Sequence, residues 1–274
     1  MLKANYLYKQ LTVLLLLFSA ISFSACSSMN ISMDDDLQLI KEKSFNISPG
    51  KELKVEIQGG DVMVTSWDKS EVYVIILGNE NAMEKMDFSI DANDDLIKVT
   101  AERKSSLTSW FSNIQLKVEV KVPKTFNVDL NTSGGDIKYG GVSGYAKLNT
   151  SGGDVWGDKF RGELIASTSG GDVNLFGTDA KIDAETSGGD IKLDYSGVNK
   201  GIYLSTSGGD IDIKLAETIS ASLDLSTSGG DVSCSLDLSN IKKLSGSKLV
   251  GDLNGGGEKL SAHTSGGDIS VLSK

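Results

Sequence analysis

Histidine occurs once in the 274 residues, at His263, proline twice (Pro49, Pro123) and cysteine twice (Cys26, Cys234). Each scarcity removes a class of function or fold. A single histidine is poor material for a His-centred catalytic triad, and the ligands for a zinc site are missing. Cys26 belongs to the N-terminal processing signal described below, so Cys234 stands alone and no intramolecular disulfide can form in the mature chain. Basic residues are outnumbered, 27 against 37, for a formal charge of −10. That acidic balance argues against nucleic acid and against polybasic attachment to anionic lipid. Aromatics make up only 7% of the chain. Few prolines beside 31 glycines, with Val, Ile and Leu in short alternations, favour strands and tight turns over helices. The length suffices for one large or two modest domains.

The main apolar run, LTVLLLLF at 11–18, follows Lys3 and Lys9 and thins out towards Ala25. It is too short and too broken by serine for a comfortable membrane span and reads as a cleaved signal peptide over residues 1–25. Phe23-Ser24-Ala25-Cys26 resembles the lipobox of bacterial lipoproteins, with Phe23 where leucine is usual. The resemblance implies that Cys26 is lipidated and becomes the mature first residue; the alternative is ordinary cleavage near Ala25. By the same resemblance, Ser27 is not the aspartate that retains lipoproteins at the inner membrane of enteric bacteria, so an outer-membrane address is expected. Loss of residues 1–25 removes two lysines and no acids, which takes the formal charge to −12. Residues 26–43 then form the lipidated cysteine and a polar tether, which as a flexible coil reaches ~20–25 Å.

Residues 44–126 read as a β-rich N-terminal section. Alternating segments at 54–57, 62–67, 71–77, 86–92, 96–102 and 114–122 predict half-buried strands. Beyond them, from 127 to 274, the pentapeptide TSGGD recurs seven times, with threonines at Thr132, Thr150, Thr168, Thr186, Thr206, Thr227 and Thr264. The intervals are 18, 18, 18, 20, 21 and 37 residues. The last spans about two periods, which suggests one decayed copy near LNGGGEK at 253–259. Positions four and two before each threonine are wholly apolar, from Val128 and Leu130 in the first copy to Leu260 and Ala262 in the last. The residue between them is mostly polar. After each aspartate an inward apolar residue follows, Ile137 in the first copy and Ile269 in the last. This is the period-two alternation of strands with one face in and one out. Each repeat contributes two short strands joined by a Gly-Gly corner, where glycine permits positive φ and close approach of backbones.

A period near 20 residues is the signature of stacked repeats. The expected fold is all-β: a parallel β-solenoid, or β-helix, right-handed as parallel crossovers are, with one rung per repeat. The corners, the strand at 117–122 ending in VP, and GGDVMVTSWD at 59–68 resemble the bacterial β-strand-repeat family labelled "putative adhesin", over residues 44–274. The resemblance implies a β-helix-like fold in secreted or envelope-anchored proteins, some associated with envelope stress. It supplies no catalytic residues.

The aspartate column (Asp136, Asp154, Asp172, Asp190, Asp210, Asp231, Asp268) is the sharpest candidate for chemistry. Carboxylates stacked ~4.8 Å apart repel by about 1 kcal/mol per pair even in water, so something must offset the charge. Calcium is one option, although the spacing departs from glycine-rich calcium repeats. The other is structural: each Asp accepts backbone N–H groups at its own corner. Stacked Thr and Ser hydroxyls are a second candidate, for a sugar, but such ladders more often bond one another and the backbone. Outward Asp183, Asp212 and Asp224 are the carboxylates from which a glycosidase pair would have to come. Cys234 falls in an inward apolar column and His263 in a polar surface slot. Trp110 and Phe111 either cap the core or contact a partner. The combination describes a non-catalytic envelope lipoprotein that presents a rigid acidic solenoid surface. It is held to the membrane by N-terminal lipid, binds a protein or glycan partner, and uses no cofactor or metal. Two other readings stay open: a periplasmic envelope-stress or scaffold module, and a polysaccharide-active enzyme.

Overall fold

The computed structural model describes residues 37–47, 51–104 and 113–274. Cys26, Trp110, Phe111 and the whole of segment 1–36 lie outside them. The described chain is nearly all strand, arranged as one long, mixed and largely parallel sheet. Before the repeats come β1 (Gln38–Asn46), β2 (Glu52–Ile57), β3 (Asp61–Trp67), β4 (Glu71–Gly78), a short helix α1 (Glu80–Lys85), β5 (Met86–Ala92), β6 (Leu96–Arg103) and β7 (Leu116–Pro123). All six predicted segments match strands to within two residues. Two elements were not foreseen. β1 pairs antiparallel with β4 across residues assigned to the tether. α1 is a single short helix capped by Asn79, whose side chain accepts the N–H of Ala82 at 3.0 Å.

The repeats supply β8 (Asn127–Thr132), β9 (Ile137–Gly140), β10 (Ser143–Asn149), β11 (Val155–Ser167), β12 (Val173–Glu185), β13 (Ile191–Ser196), β14 (Ile202–Thr206) and β15 (Ile211–Leu215). After them come β16 (Ala221–Thr227), β17 (Val232–Cys234), β18 (Leu238–Ser245), β19 (Lys248–Leu253), β20 (Lys259–Thr264) and β21 (Ile269–Ser273). Strands entering the corners pair with one another, and strands leaving them form a second ladder; β11 and β12 are long enough to serve both. The columns beside the corners keep strict register, and the shifts in the long β11–β12 pairing fall between them, at residues 158–162. In the entering ladder Val128, Ala146, Leu164 and Ile182 lie side by side, then Ile202, Leu260 and Leu223. All seven are at most 3% exposed. The inward columns of both ladders belong to one hydrophobic core, so no boundary falls at residue 126. β2 pairs directly with β8, and β3 with β9.

Stacking order departs from sequence order at both ends. β20 lies between β14 and β16, and β21 between β15 and β17. The seventh TSGGD is therefore inserted between the fifth and the sixth. The 37-residue interval holds no decayed rung. It holds the antiparallel hairpin β18–β19, of which β19 pairs with the far edge of β16. With that edge occupied, the returning chain can add only on the other side of β16. LNGGGEK is the reversal: Asn254, Gly255 and Gly256 take φ of 49°, 83° and 89°, and the Asn254 amide donates to Glu217 and Ile219 carbonyls. The N-terminal end repeats the device, since β2 and β3 lie between the β6/β7 rung and the β8/β9 rung. β5 closes β6 and β4 closes β7, both antiparallel. Lys41 and Lys43 of β1 donate to the Phe88 and Ile90 carbonyls of β5 at 2.7 and 3.1 Å. β18 carries Lys242 and Lys243 on its exposed surface. Lysines on outermost strands discourage further strand addition.

Two packing details explain residues that break the apolar pattern. Gly157 stands in an inward column because Phe160, 1% exposed, fills the space beside it; a Cβ at Gly177 would fall 2.4 Å from that ring. Tyr195 is fully buried, and its hydroxyl lies 2.8 Å from the Ala180 carbonyl, 2.7 Å from the Val198 carbonyl and 2.7 Å from the Ala180 N–H.

Candidate functional site

The repeat corner is held by three bonds made between rungs and one made within. Thr168 Oγ1 donates to the carbonyl of Gly153, the second glycine of the neighbouring rung, at 2.9 Å. Every TSGGD threonine does the same at 2.8–2.9 Å, in spatial order, with Thr132 on Gly60, Thr264 on Gly209 and Thr227 on Gly267. Within its own corner the same oxygen accepts the N–H of Gly171 at 3.3 Å. The carboxylate of Asp154 accepts the N–H of Asp172 at 2.8 Å. The Asp172 carbonyl then accepts the N–H of Val155 at 2.8 Å. The aspartate bond recurs through the stack from Asp61 to Asp231. Every carboxylate in the column but that of Asp231, at the end of the stack, thus accepts a backbone N–H from the next rung rather than from its own corner. These are charge-assisted bonds, stronger than neutral ones, and they oppose the repulsion along the column.

The two glycines of the corner have different reasons. Seven corners out of seven avoid the left-handed region; only the early Gly59-Gly60 corner enters it, at φ 97° for both residues. Gly171 is buried, and a Cβ there would lie 2.1 Å from the Gly153 carbonyl oxygen. At Gly170, which is exposed, a Cβ would meet nothing closer than 3.7 Å. Close approach, not positive φ, requires the second glycine.

A second feature lies on the outward face of the leaving ladder. Asn174, Lys192 and Asp212 occupy one outward column and Phe176, Asp194, Lys214 and Leu272 the next, on β12, β13, β15 and β21 in turn. They line a cavity of about 300 Å³. Phe176 stands at one end and Leu272 at the other, both about two-fifths exposed. The Trp156 ring lies nearly parallel to Phe176, 12° between planes and 6.4 Å between centroids. Asp194 pairs with Lys274, and Asp212 accepts the Ser270 hydroxyl at 2.6 Å. Trp156 and Asn174 each follow an inward valine, Val155 or Val173, so strand alternation alone turns them outward. Two large aromatics at outward positions of adjacent repeats were the available signal.

The family model described as Toastrack DUF4097 matches residues 32–272. The chain belongs to that family. No curated protein matches it. Solved structures similar to this Toastrack chain include a putative cell adhesion protein from Clostridium sporogenes, 12% identical over 86% of this chain and 100% of that one, with a TM-score of 0.32. Another is a putative adhesin from Parabacteroides merdae, 14% identical over 87% and 97%, TM-score 0.39. A putative lipid binding protein from Parabacteroides distasonis is 13% identical over 87% and 98%, TM-score 0.29.

Other residues singled out from the sequence are dispersed in the Toastrack fold. Every repeat threonine is buried, none more than 7% exposed, so the hydroxyl ladder is not offered to a sugar. Among the described residues no three His, Cys, Asp or Glu side chains converge as a metal site would need. Asp183 and Asp224 share an outward column of the entering ladder but are separated by Tyr203 and Ser261. Three rung spacings of ~4.8 Å exceed the separation of a glycosidase pair. Asp212 lies in the other ladder. Burial raises the pKa of Asp183, whose Oδ1 has no hydrogen-bond partner. Lys259 and then Lys248 lower that of Asp224. Glu42 beside the Tyr73 hydroxyl pushes that phenol up to about 12. His263 is exposed and sits 3.2 Å from Ser226 Oγ. Cys234 is only half-buried, because β17 has a neighbour on one side alone.

Proposed function

We propose that this protein is a lipid-anchored component of the bacterial envelope, acylated at Cys26 and held at the outer membrane, whose parallel β-solenoid presents a binding surface without catalysing a reaction. The ladders are taken to coil in the right-handed sense usual for parallel crossovers. One observation carries the reading. The repeated Thr and Asp of all seven corners are spent on rung-to-rung bonds. Repetition therefore builds a stiff body, while the outward columns differ from rung to rung. Surfaces of that kind suit adhesion or partner binding, and a rigid support lowers the ordering cost of association.

The experiment is protease treatment of intact cells beside ruptured cells, with metabolic acyl labelling of wild type and Cys26→Ala. Digestion on intact cells, with label lost in the variant, is the expected result. Protection until rupture would remove the adhesion reading and leave a periplasmic scaffold. An unlabelled wild type would remove the lipid anchor.

A further inference from the structure

The cavity on the leaving ladder brings together polar groups that have no partner among the described residues. Asn174 is 8% exposed, yet its amide makes no hydrogen bond to any described residue. Among the described residues Asp183 Oδ1 is the one fully buried side-chain oxygen or nitrogen without a partner, so the Asn174 amide opens onto the cavity with its hydrogen bonds free for a ligand. Lys192 and Lys214 line the same cavity and form no ion pair or hydrogen bond with described residues either. Three unengaged polar groups thus converge beside an exposed aromatic ring. The corner threonines, and every corner carboxylate but that of Asp231, are by contrast engaged.

We propose that this trough binds a short neutral stretch of glycan, with a sugar ring against Phe176 and sugar hydroxyls on the Asn174 amide and the two lysines. The proposal rests on the reading of the protein as a binding surface and names its site and ligand class. Phe176 and Leu272 stand three rungs apart, about 14 Å at the usual strand spacing, which makes the trough elongated along the stack. Its volume of about 300 Å³ lies at the low end of ligand pockets. An apolar wall with a few placed polar groups is the composition such pockets share. Charge selects within the class. Lys192 and Lys214 alternate with Asp194 and Asp212 in the same trough, Asp194 being paired with Lys274, and the chain carries −10 overall. A polyanion gains nothing from that arrangement, whereas an uncharged polyhydroxy ligand finds donors and acceptors interleaved.

The test uses the full-length protein, purified in detergent, on an array of neutral oligosaccharides (glucans, mannans, xylans) and anionic ones (polygalacturonate, alginate). At least one neutral series should be retained and should alter the Trp156 fluorescence. Phe176→Ala and Asn174→Ala should each weaken that binding by about tenfold or more, with the melting curve unchanged. Tyr203→Ala, exposed on the other ladder, should leave it intact. Should Phe176→Ala lose its fold, Lys192→Gln on the exposed surface carries the same expectation. No retained neutral glycan, a preference for the anionic series, or binding indifferent to these substitutions overturns the proposal. Any of these three failures in a protein still digested on intact cells removes the glycan trough and leaves surface presentation standing. Glycan binding by a protein found unacylated and protected would do the reverse.

Discussion

Replacing Gly171 with alanine should cost far more than replacing Gly170, although the two are adjacent and identical. At Gly171 the new Cβ would lie 2.1 Å from the Gly153 oxygen, 2.5 Å from its carbon and 2.7 Å from Asp154 Oδ1, where real Cβ atoms are essentially never found within 3.0 Å. The corner must therefore open by about 0.9 Å. Two bonds cross that gap with little to spare, Thr168 to Gly153 at 2.9 Å and Asp172 N–H to Asp154 at 2.8 Å. Opening carries both beyond hydrogen-bonding distance, and the groups involved are buried or half-buried. Leaving such groups unsatisfied costs about 1–3 kcal/mol each, and strain from overpacking is of similar size. A loss of about 3 kcal/mol is expected, a fall in Tm of about 6–12 °C for a domain of this size. Alanine at Gly170 meets only ordinary contacts at 3.7 Å or more, with φ outside the left-handed region. There the reduced freedom of the unfolded chain should raise stability by about 0.4–1 kcal/mol. Thermal and urea unfolding of both variants measure the difference. Equal effects at the two positions, or an unaffected Gly171→Ala, would refute the close-approach argument.

Thr186→Val keeps the shape but removes the hydroxyl that donates to Gly171 and accepts from Gly189; urea unfolding should show a loss of about 1–3 kcal/mol, with Thr186→Ser much milder. Tyr195→Phe strips a buried hydroxyl from the Ala180 and Val198 backbone and should cost about as much by the same measurement. Burial raises the pKa of Asp183 above that of the unfolded chain. The native state then binds the extra proton, and stability falls as pH rises from the unfolded value through the folded one. Asp183→Asn should accordingly melt higher than wild type near pH 7, with the gap closing as pH drops towards 4; a gap that widens in acid would reverse the assignment. Deleting residues 259–274 removes an interior rung, β20 and β21. Limited proteolysis should then find the flanking β14–β17 region cut rapidly, instead of a fold shortened by one rung and otherwise intact.

How far the sequence could be read depended on whether a feature was local. The apolar columns around each threonine were legible because strand alternation puts every second residue inward, and in the structure all fourteen positions four and two before the threonines are buried. Gly59-Gly60-Asp61, which opens the GGDVMVTSWD segment, stacks directly against the first TSGGD. β1 was missed because its residues, QLIKEKSFN, are exposed on an outermost strand with little apolar alternation. The trough was missed because it is assembled from one or two outward residues in each of four rungs, and nothing in one repeat marks them as neighbours.

By itself the sequence determined the rung: two strands, a corner, an inward face and the register in which one copy lies on the next. Tertiary structure alone decided the order of the rungs. Seven corners carrying the same threonine, glycine and aspartate present the same bonds to any neighbour, so the copies are interchangeable as far as local chemistry goes. The choice falls to the segments that are not repeated. The β18–β19 hairpin occupies the far edge of β16, which sends the last copy inward between two earlier ones. At the other end, β4 and β5 occupy the outer edges of β7 and β6, and the first rung lies between them and the repeats.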